Sequence, residues 1–203
     1  MERALVASER EYRELVTLAN SIILRWSPDG RIAFLNEFGQ SFFGYTNEEI
    51  VGRHVLDTIV PPSESSGRDL QPLMHEICAD PRRFERNINE NIRRNGERVW
   101  IDWTNRVVLD EEGKIREIMS IGSDITERRR AEQALRQSEA TIRAVFEAVP
   151  VGLSIMKDRV CKSANRYWCE FLGYPEKSLI GKTTRMYYES AEEWERVGQV
   201  LYP

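Results

Sequence analysis

One segment of this chain occurs twice. Asn36, Phe42, Gly44, Tyr45 and Gly52 return as Asn165, Phe171, Gly173, Tyr174 and Gly181, each displaced by the same 129 residues. Upstream, the ungapped register also pairs Val16 with Val145, Ala19 with Ala148, Leu24 with Leu153 and Asp29 with Asp158. Ile50, Val51 and Arg53 are matched conservatively by Leu179, Ile180 and Lys182. A fixed offset between self-similar segments marks one structural unit repeated in tandem. The copies are unequal: the second starts near Thr141, and Pro203 aligns with Met74, so the stretch from Met74 to Thr126 has no counterpart. The expectation is one complete unit followed by the amino-terminal half of another. Such a half lacks the later strands its apolar residues would lean on and should be poorly stable alone. Residues 141–203 are therefore expected to belong to a longer parent, to borrow strands from a partner, or to be mobile.

Local signals divide the complete copy into elements. Ser8 and Glu11 form a capping box ahead of Tyr12, Leu15, Val16 and Ala19, so residues 1–20 are expected to supply an amphipathic helix over 9–19. Residues 21–27 and 31–36 read as a strand hairpin around Pro28-Asp29-Gly30. Asn36 is placed to cap a short helix carrying Phe38, Phe42 and Phe43, which Gly44 can stop. Thr46 and Glu49 make a second capping box for a helix ending at Gly52. Residues 53–65 read as a loop and 68–79 as a helix with Leu70, Leu73, Met74, Ile77 and Cys78 on its apolar side. Three strands are then predicted over 85–94, 97–109 and 115–125, separated by Asn95-Gly96 and by Asp110 to Gly113. Strands, short helices and strands again predict an α+β unit over 21–126, one antiparallel sheet covered on one face.

Beyond Thr126 the period turns helical. Arg128, Leu135, Ile142 and Val149 alternate with Ala131, Ser138 and Val145 at heptad a and d spacing. A helix over 127–148 would be about 33 Å long at about 1.5 Å per residue. It would join the first unit to the partial second unit, 149–203, as a semi-rigid rod without Gly, Pro or Ser-rich slack.

Several function classes are disfavoured. A formal charge of −4, with only Arg128, Arg129 and Arg130 clustered, offers no electrostatic footprint for nucleic acid. No apolar run of about 18 residues is present to span a bilayer, and the charged Met1 to Arg10 segment has no apolar stretch behind it, so a cytoplasmic protein that does not enter membranes is expected. Cys78, Cys161 and Cys169 include no CxxC pair, and His54 and His75 are the only histidines, which argues against disulfide frameworks and metal centres. The catalytic candidates His54, Asp57, Ser63 and Ser66 sit in or near one loop without a glycine-flanked nucleophile. No P-loop or paired-carboxylate pattern accompanies them. The chain is not expected to be an enzyme by itself.

The Asn36 to Gly52 segment, then Asn95-Gly96-Glu97 with Val99-Trp100-Ile101, then Ser123-Asp124-Ile125-Thr126-Glu127-Arg128, together resemble the PAS sensor family with its carboxy-terminal PAC segment (the S-box). The resemblance covers Leu15 to Thr126, and Thr141 to Pro203 as an amino-terminal half. It implies a five-stranded antiparallel sheet in the order 2-1-5-4-3, with short helices on one face enclosing a pocket. It also implies sensory signalling upstream of a histidine kinase or cyclic-di-GMP enzyme, the effector lying outside this chain. Homodimerisation through the N-terminal helix and through Leu135, Ile142, Val145 and Val149 of the linker is implied as well. Asp124, Ile125 and Thr126 stand where the last strand becomes that linker; Thr126 can cap the helix and Asp124 can hold a nearby amide or arginine. Those three are the expected relay residues.

The stimulus is not legible. Flavin photosensors of this family carry a reactive cysteine after the glycine corresponding to Gly52. Here Arg53-His54-Val55-Leu56-Asp57-Thr58 follows it, and Lys182-Thr183-Thr184-Arg185 follows Gly181, so adduct photochemistry is excluded. Haem is not expected, since His75 lies several residues beyond the place of the family's axial histidine. Trp100 and Trp103, three apart on one strand, must face opposite ways, with Trp103 on the side of Val99, Ile101 and Val107. Pocket candidates are Leu24, Phe34, Phe43 and Ile59, with Leu73, Ile77, Ile101, Trp103 and Ile121, all of which could equally be solid core. A sensor of a small ligand or partner and a purely structural dimerisation module both remain open.

Overall fold

Ile22, Leu24 and Trp26 alternate with Ile23 and Arg25, and successive strand residues point to opposite faces. In the computed structural model, which describes residues 21–201, the first set is buried and the second only partly so. The helix expected over 9–19 lies outside the described residues. The chain divides into two units at Ala131/Glu132.

The first unit contains β1 (Ile22–Trp26), β2 (Ile32–Leu35), α1 (Glu37–Phe43), α2 (Asn47–Ile50) and a 3-10 turn over Val55–Asp57. It continues with α3 (Gln71–Ala79), β3 (Arg86–Ile92), β4 (Arg98–Leu109) and β5 (Ile115–Asp124). All pairings are antiparallel and the order is β2-β1-β5-β4-β3, the topology implied by the resemblance.

Asn36 shows why the first helix begins where it does. Its Oδ1 accepts from the Gly39 amide at 3.0 Å, capping α1, and from the Ile23 amide at 2.9 Å, while its Nδ2 donates to the Ser21 carbonyl at 3.0 Å. One buried side chain thus fixes both the helix start and the entry to β1. Gly44 ends α1 in the left-handed region, φ +80°, where a side chain would be strained. The helix expected from residue 68 starts instead at Gln71. The Arg68 carbonyl and the Leu70 amide are already taken by the Glu64 amide and the Pro62 carbonyl. The Asp69 carboxylate then accepts from the Gln71 amide at 2.9 Å.

The core lies between the inner sheet face and the helices. Phe43, Leu73 and Ile101 are buried in it, and each such side chain contributes about 1.5–3 kcal/mol. Phe34 and Ile121 correct the sequence reading: they stand opposite Arg25 and Ile23 on the other face, and Ile121 is 42% exposed. Inward places on β2 and β5 go to Ile32 and Leu35, and to Ile118, Ser120 and Gly122. The period of two allows no exchange, but strands apolar on both faces conceal which residues are in phase. Trp103 faces inward and Trp100 outward.

The second unit opens within α4 (Thr126–Ala148). β6 (Ser154–Lys157), β7 (Val160–Ala164), α5 (Arg166–Leu172), α6 (Glu176–Leu179), a 3-10 turn over Thr184–Tyr187 and α7 (Ala191–Leu201) follow. It reuses the devices of the first. Asn165 Oδ1 accepts from Trp168 N and Leu153 N, both at 2.9 Å, and Gly173 ends α5 at φ +74°. The repeat register slips by one residue upstream of the hairpin turn, however. Asn165 reaches back 12 residues, to Leu153, where Asn36 reaches back 13, to Ile23. The cause is the turn: Asp158 and Arg159 both have positive φ, 51° and 59°, as in a two-residue type I′ turn. Ile23, rather than Leu24, is the counterpart of Leu153. Fully buried apolar residues here are Cys161, Ala164 and Leu179, with Trp168, Leu172 and Tyr187 packed against them. Phe171 is 73% exposed, whereas its counterpart Phe42 packs on a core.

Candidate functional site

The inward positions of β3 are not apolar. Asn87, Asn89 and Asn91 alternate there, and they join Asn105 of β4 and Ser120 of β5 in a continuous hydrogen-bonded chain. The Trp26 indole donates to Ser120 Oγ at 2.9 Å, and Ser120 Oγ donates to Asn105 Oδ1 at 2.6 Å. Asn105 Nδ2 donates to Asn87 Oδ1 at 2.7 Å and to the Phe84 carbonyl at 2.7 Å. Asn87 Nδ2 reaches Asn89 Oδ1 at 2.9 Å, and Asn89 Nδ2 reaches Asn91 Oδ1 at 3.2 Å. The Trp103 indole closes the chain on Asn91 Oδ1 at 3.1 Å, and Asn91 Nδ2 donates to the Ile59 carbonyl at 2.9 Å. Buried polar groups are tolerated when they are paired in this way.

This ladder forms one wall of a cavity of about 30 Å³. Leu24, Val55, Ile59, Val60, Met74 and Ile77 make its apolar side. Such a volume holds about two waters, at roughly 10–15 Å³ each. Of the sequence-predicted pocket residues, Leu24, Ile59, Ile77 and Trp103 line it; Phe43, Leu73 and Ile101 belong to the solid core. Sequence reasoning missed the four asparagines, Ser120 and Trp26. Their signal was the Asn-x-Asn-x-Asn alternation over 87–91, masked because Ile88 and Ile92 point to the other side and suggest the opposite phase. Gly122 supports the arrangement: a Cβ there would lie 2.7 Å from the Trp103 ring, so glycine lets the indole lie across its neighbouring strand.

A haem or an adduct-forming flavin does not fit these residues. The lining contains neither histidine nor cysteine. His54 caps the 3-10 turn, its Nδ1 accepting from the Leu56 amide at 3.1 Å. Cys78 packs against the core edge, where burial raises its thiol pKa. The serine candidates are also absorbed locally: Ser63 pairs with Asp69, and Ser66 Oγ donates to Glu64 at 3.1 Å. Beside them Glu90 is buried. Burial pushes its pKa up, but hydrogen bonds from the Ser65 hydroxyl and amide and from Arg98 outweigh that and hold the carboxyl below the ordinary value.

At the end of β5 the expected relay residues come together. Asp124 Oδ1 accepts from Thr126 N at 2.8 Å and from Thr126 Oγ1 at 2.5 Å. Thr126 Oγ1 accepts from the Trp100 amide of β4 at 2.8 Å. The threonine hydroxyl therefore bridges strand and aspartate rather than serving only as a helix cap. The buried Ile125 continues the ladder, its amide donating to the Trp100 carbonyl at 2.9 Å. The Arg129 guanidinium stacks on the outward Trp100 ring at 3.8 Å. Arg93, 4.1 Å above the Phe42 ring of α1, places Nη2 3.9 Å from Asp124 Oδ2, so both the helical layer and the sheet touch the start of α4. Further along, Leu135, Ile142 and Val145 are 61%, 66% and 57% exposed. Val149 falls just past the helix end.

Residues 16–130 match a family model described as the PAS fold. The chain belongs to the PAS family. A second model, described as a PAS domain, matches residues 140–201, so both PAS units are recognised. The two-component sensor PprA of Pseudomonas aeruginosa is 28% identical over 136 residues, covering 66% of this chain and 14% of the sensor. The chain thus spans a small part of that relative's length. Among solved structures, an RNA-binding light-oxygen-voltage receptor superimposes with a TM-score of 0.52 at 18% identity, over 70% of this chain and 39% of that one. The PAS domain of an HTR-like protein from Haloarcula marismortui gives 0.49 at 18%, over 61% and 97%. These likenesses concern the fold. No helix among the described residues is long and apolar enough to cross a membrane.

Proposed function

We propose that this chain is the cytoplasmic input region of a signal-transduction protein. Its complete PAS unit takes up a small molecule at the asparagine-lined cavity and passes its state through Asp124, Ile125 and Thr126 into α4. The observation that carries this reading is continuity along β5. Ser120 ends the ladder, and Asp124, four residues on, holds the first residue of α4. A ligand that pulls on Ser120 and Asn105 displaces the strand that sets the helix start. The sensor relative supports a signalling context. In this reading the chain performs no chemistry, and a kinase or cyclic-di-GMP enzyme domain lies elsewhere in the parent.

A second reading, a PAS module that only assembles protein chains, is favoured by the exposed stripe of Leu135, Ile142 and Val145, which suits pairing of two α4 helices into a homodimer. Absorbance spectroscopy and native mass spectrometry of the purified chain separate the two. A bound small molecule, lost when Asn105→Leu breaks the ladder, supports sensing; a dimer of bare mass in every preparation supports assembly alone.

A further inference from the structure

We propose that the cavity of the complete unit selects an uncharged small molecule with a paired hydrogen-bond donor and acceptor on one edge and an apolar flank, as in a primary amide or a urea. This rests on the ligand-sensing reading above.

The lining contains no aspartate, glutamate, lysine, arginine or histidine. A charged ligand entering it would lose its hydration with no counter-charge to replace it, which is strongly unfavourable in a dry interior. The polar wall is instead built of neutral amides, each a donor and an acceptor at once. Its polarity runs one way. From the Trp26 indole each group donates to the next through Ser120, Asn105, Asn87 and Asn89 to Asn91, where the Trp103 indole donates from the other end. Indoles only donate, so both ends of the chain are fixed and the spare capacity lies in the middle. Asn87 Nδ2 uses one of its two hydrogens on Asn89, and Asn89 Oδ1 accepts one bond of the two it can take. A ligand edge carrying an acceptor beside a donor completes this pair as a second amide would. Opposite lie Leu24, Ile59, Met74 and Ile77, which suit an apolar flank. Met74, unbranched and adaptable, is the side chain whose rotation enlarges a cavity of about 30 Å³ to hold several heavy atoms.

The test follows the indole N–H signals of Trp26 and Trp103 in a proton–nitrogen correlation spectrum of the full chain, assigned with Trp26→Phe and Trp103→Phe. The probes are propionamide and benzamide, titrated beside propionate and benzoate, which match them in shape and differ in charge. The amides are expected to shift both signals saturably, with dissociation constants at least tenfold below those of the matched carboxylates. Trp168 and Trp194 should stay unmoved. Asn91→Leu should abolish the response, and the amide-to-carboxylate comparison on the unaltered chain needs no variant to fold. Carboxylates that bind as tightly as the amides overturn the uncharged class while leaving a ligand pocket in place. Silence of both indoles to all four probes overturns this inference, and the mass measurement above then decides the sensory reading separately.

Discussion

The Thr126 hydroxyl, on the first residue of α4, accepts a hydrogen bond at 2.8 Å from the backbone amide of Trp100 in the middle of the sheet. Helix and strand are therefore joined by a single oxygen, which Asp124 orients by accepting its proton at 2.5 Å. Removing that oxygen with Thr126→Val leaves the Trp100 amide without its acceptor. An orphaned, partly buried donor costs about 1–3 kcal/mol. Urea unfolding of the variant should show a loss in that range, and Thr126→Ser should recover most of it. Equal stability of valine and wild type would mean that water replaces the bond at no cost.

Asn91 receives two donors, Asn89 and the Trp103 indole, so its effects should not add with those of Trp103. Asn91→Leu is expected to destabilise by about 1–3 kcal/mol through the indole and the Ile59 carbonyl it leaves unpaired. In a double-mutant cycle with Trp103→Phe, the second substitution should cost markedly less once the first is in place. Additive costs would show that the ladder is not energetically connected.

Much of the fold was legible because it rests on local chemistry. Asn36 and Gly44 state where α1 starts and stops, Thr46 and Glu49 box α2, and Asn95-Gly96 turns β3 into β4. The repeat at 129 residues gave the second unit the same reading. Strand phase was harder. Phe34 and Ile121 looked like pocket residues because β2 and β5 carry apolar side chains on both faces, and which set turns inward is decided by pairing with β1. The site was concealed for the same reason, its inward residues being asparagines in a strand whose isoleucines face the other way. The hairpin slip at Asp158-Arg159 depended on two positive φ angles at residues that seldom adopt them.

Gly122 faces Trp103 across the sheet. In Gly122→Ala the new methyl would meet the indole at 2.7 Å and Ile101 at 2.8 Å, so the ring must tilt. Overpacking of this kind costs about 1–3 kcal/mol, and the tilt should break the Trp103–Asn91 bond. Calorimetry should show a lowered Tm, and the Trp103 indole N–H resonance should move while that of Trp194 stays fixed.

Glu90 gives the unit an acid limb. Its carboxyl pKa is held below the ordinary 4.5 in the folded chain, because Ser65 and Arg98 outweigh the opposing effect of burial. A depressed folded value means that the unfolded state binds the proton first. The contribution is present in full above about 4.5 and is lost as pH falls through the folded value. Stability measured by urea between pH 7 and pH 3 should therefore decline steeply at the acid end. Glu90→Gln should flatten that decline while lowering stability near neutrality. An identical acid limb in the variant would assign the effect to other carboxylates.

Coupling between the ladder and the helix start is tested most directly by amide hydrogen exchange across residues 126–131, compared among the wild-type chain, Ser120→Ala and Ser120→Ala combined with Asp124→Ala. Ser120→Ala alone is expected to change protection there by at least threefold, although Ser120 touches no residue of α4. With Asp124→Ala also present, protection should be the same whether residue 120 is serine or alanine. Unchanged exchange in 126–131 in a folded Ser120→Ala chain whose neighbouring strand amides do respond would contradict the relay.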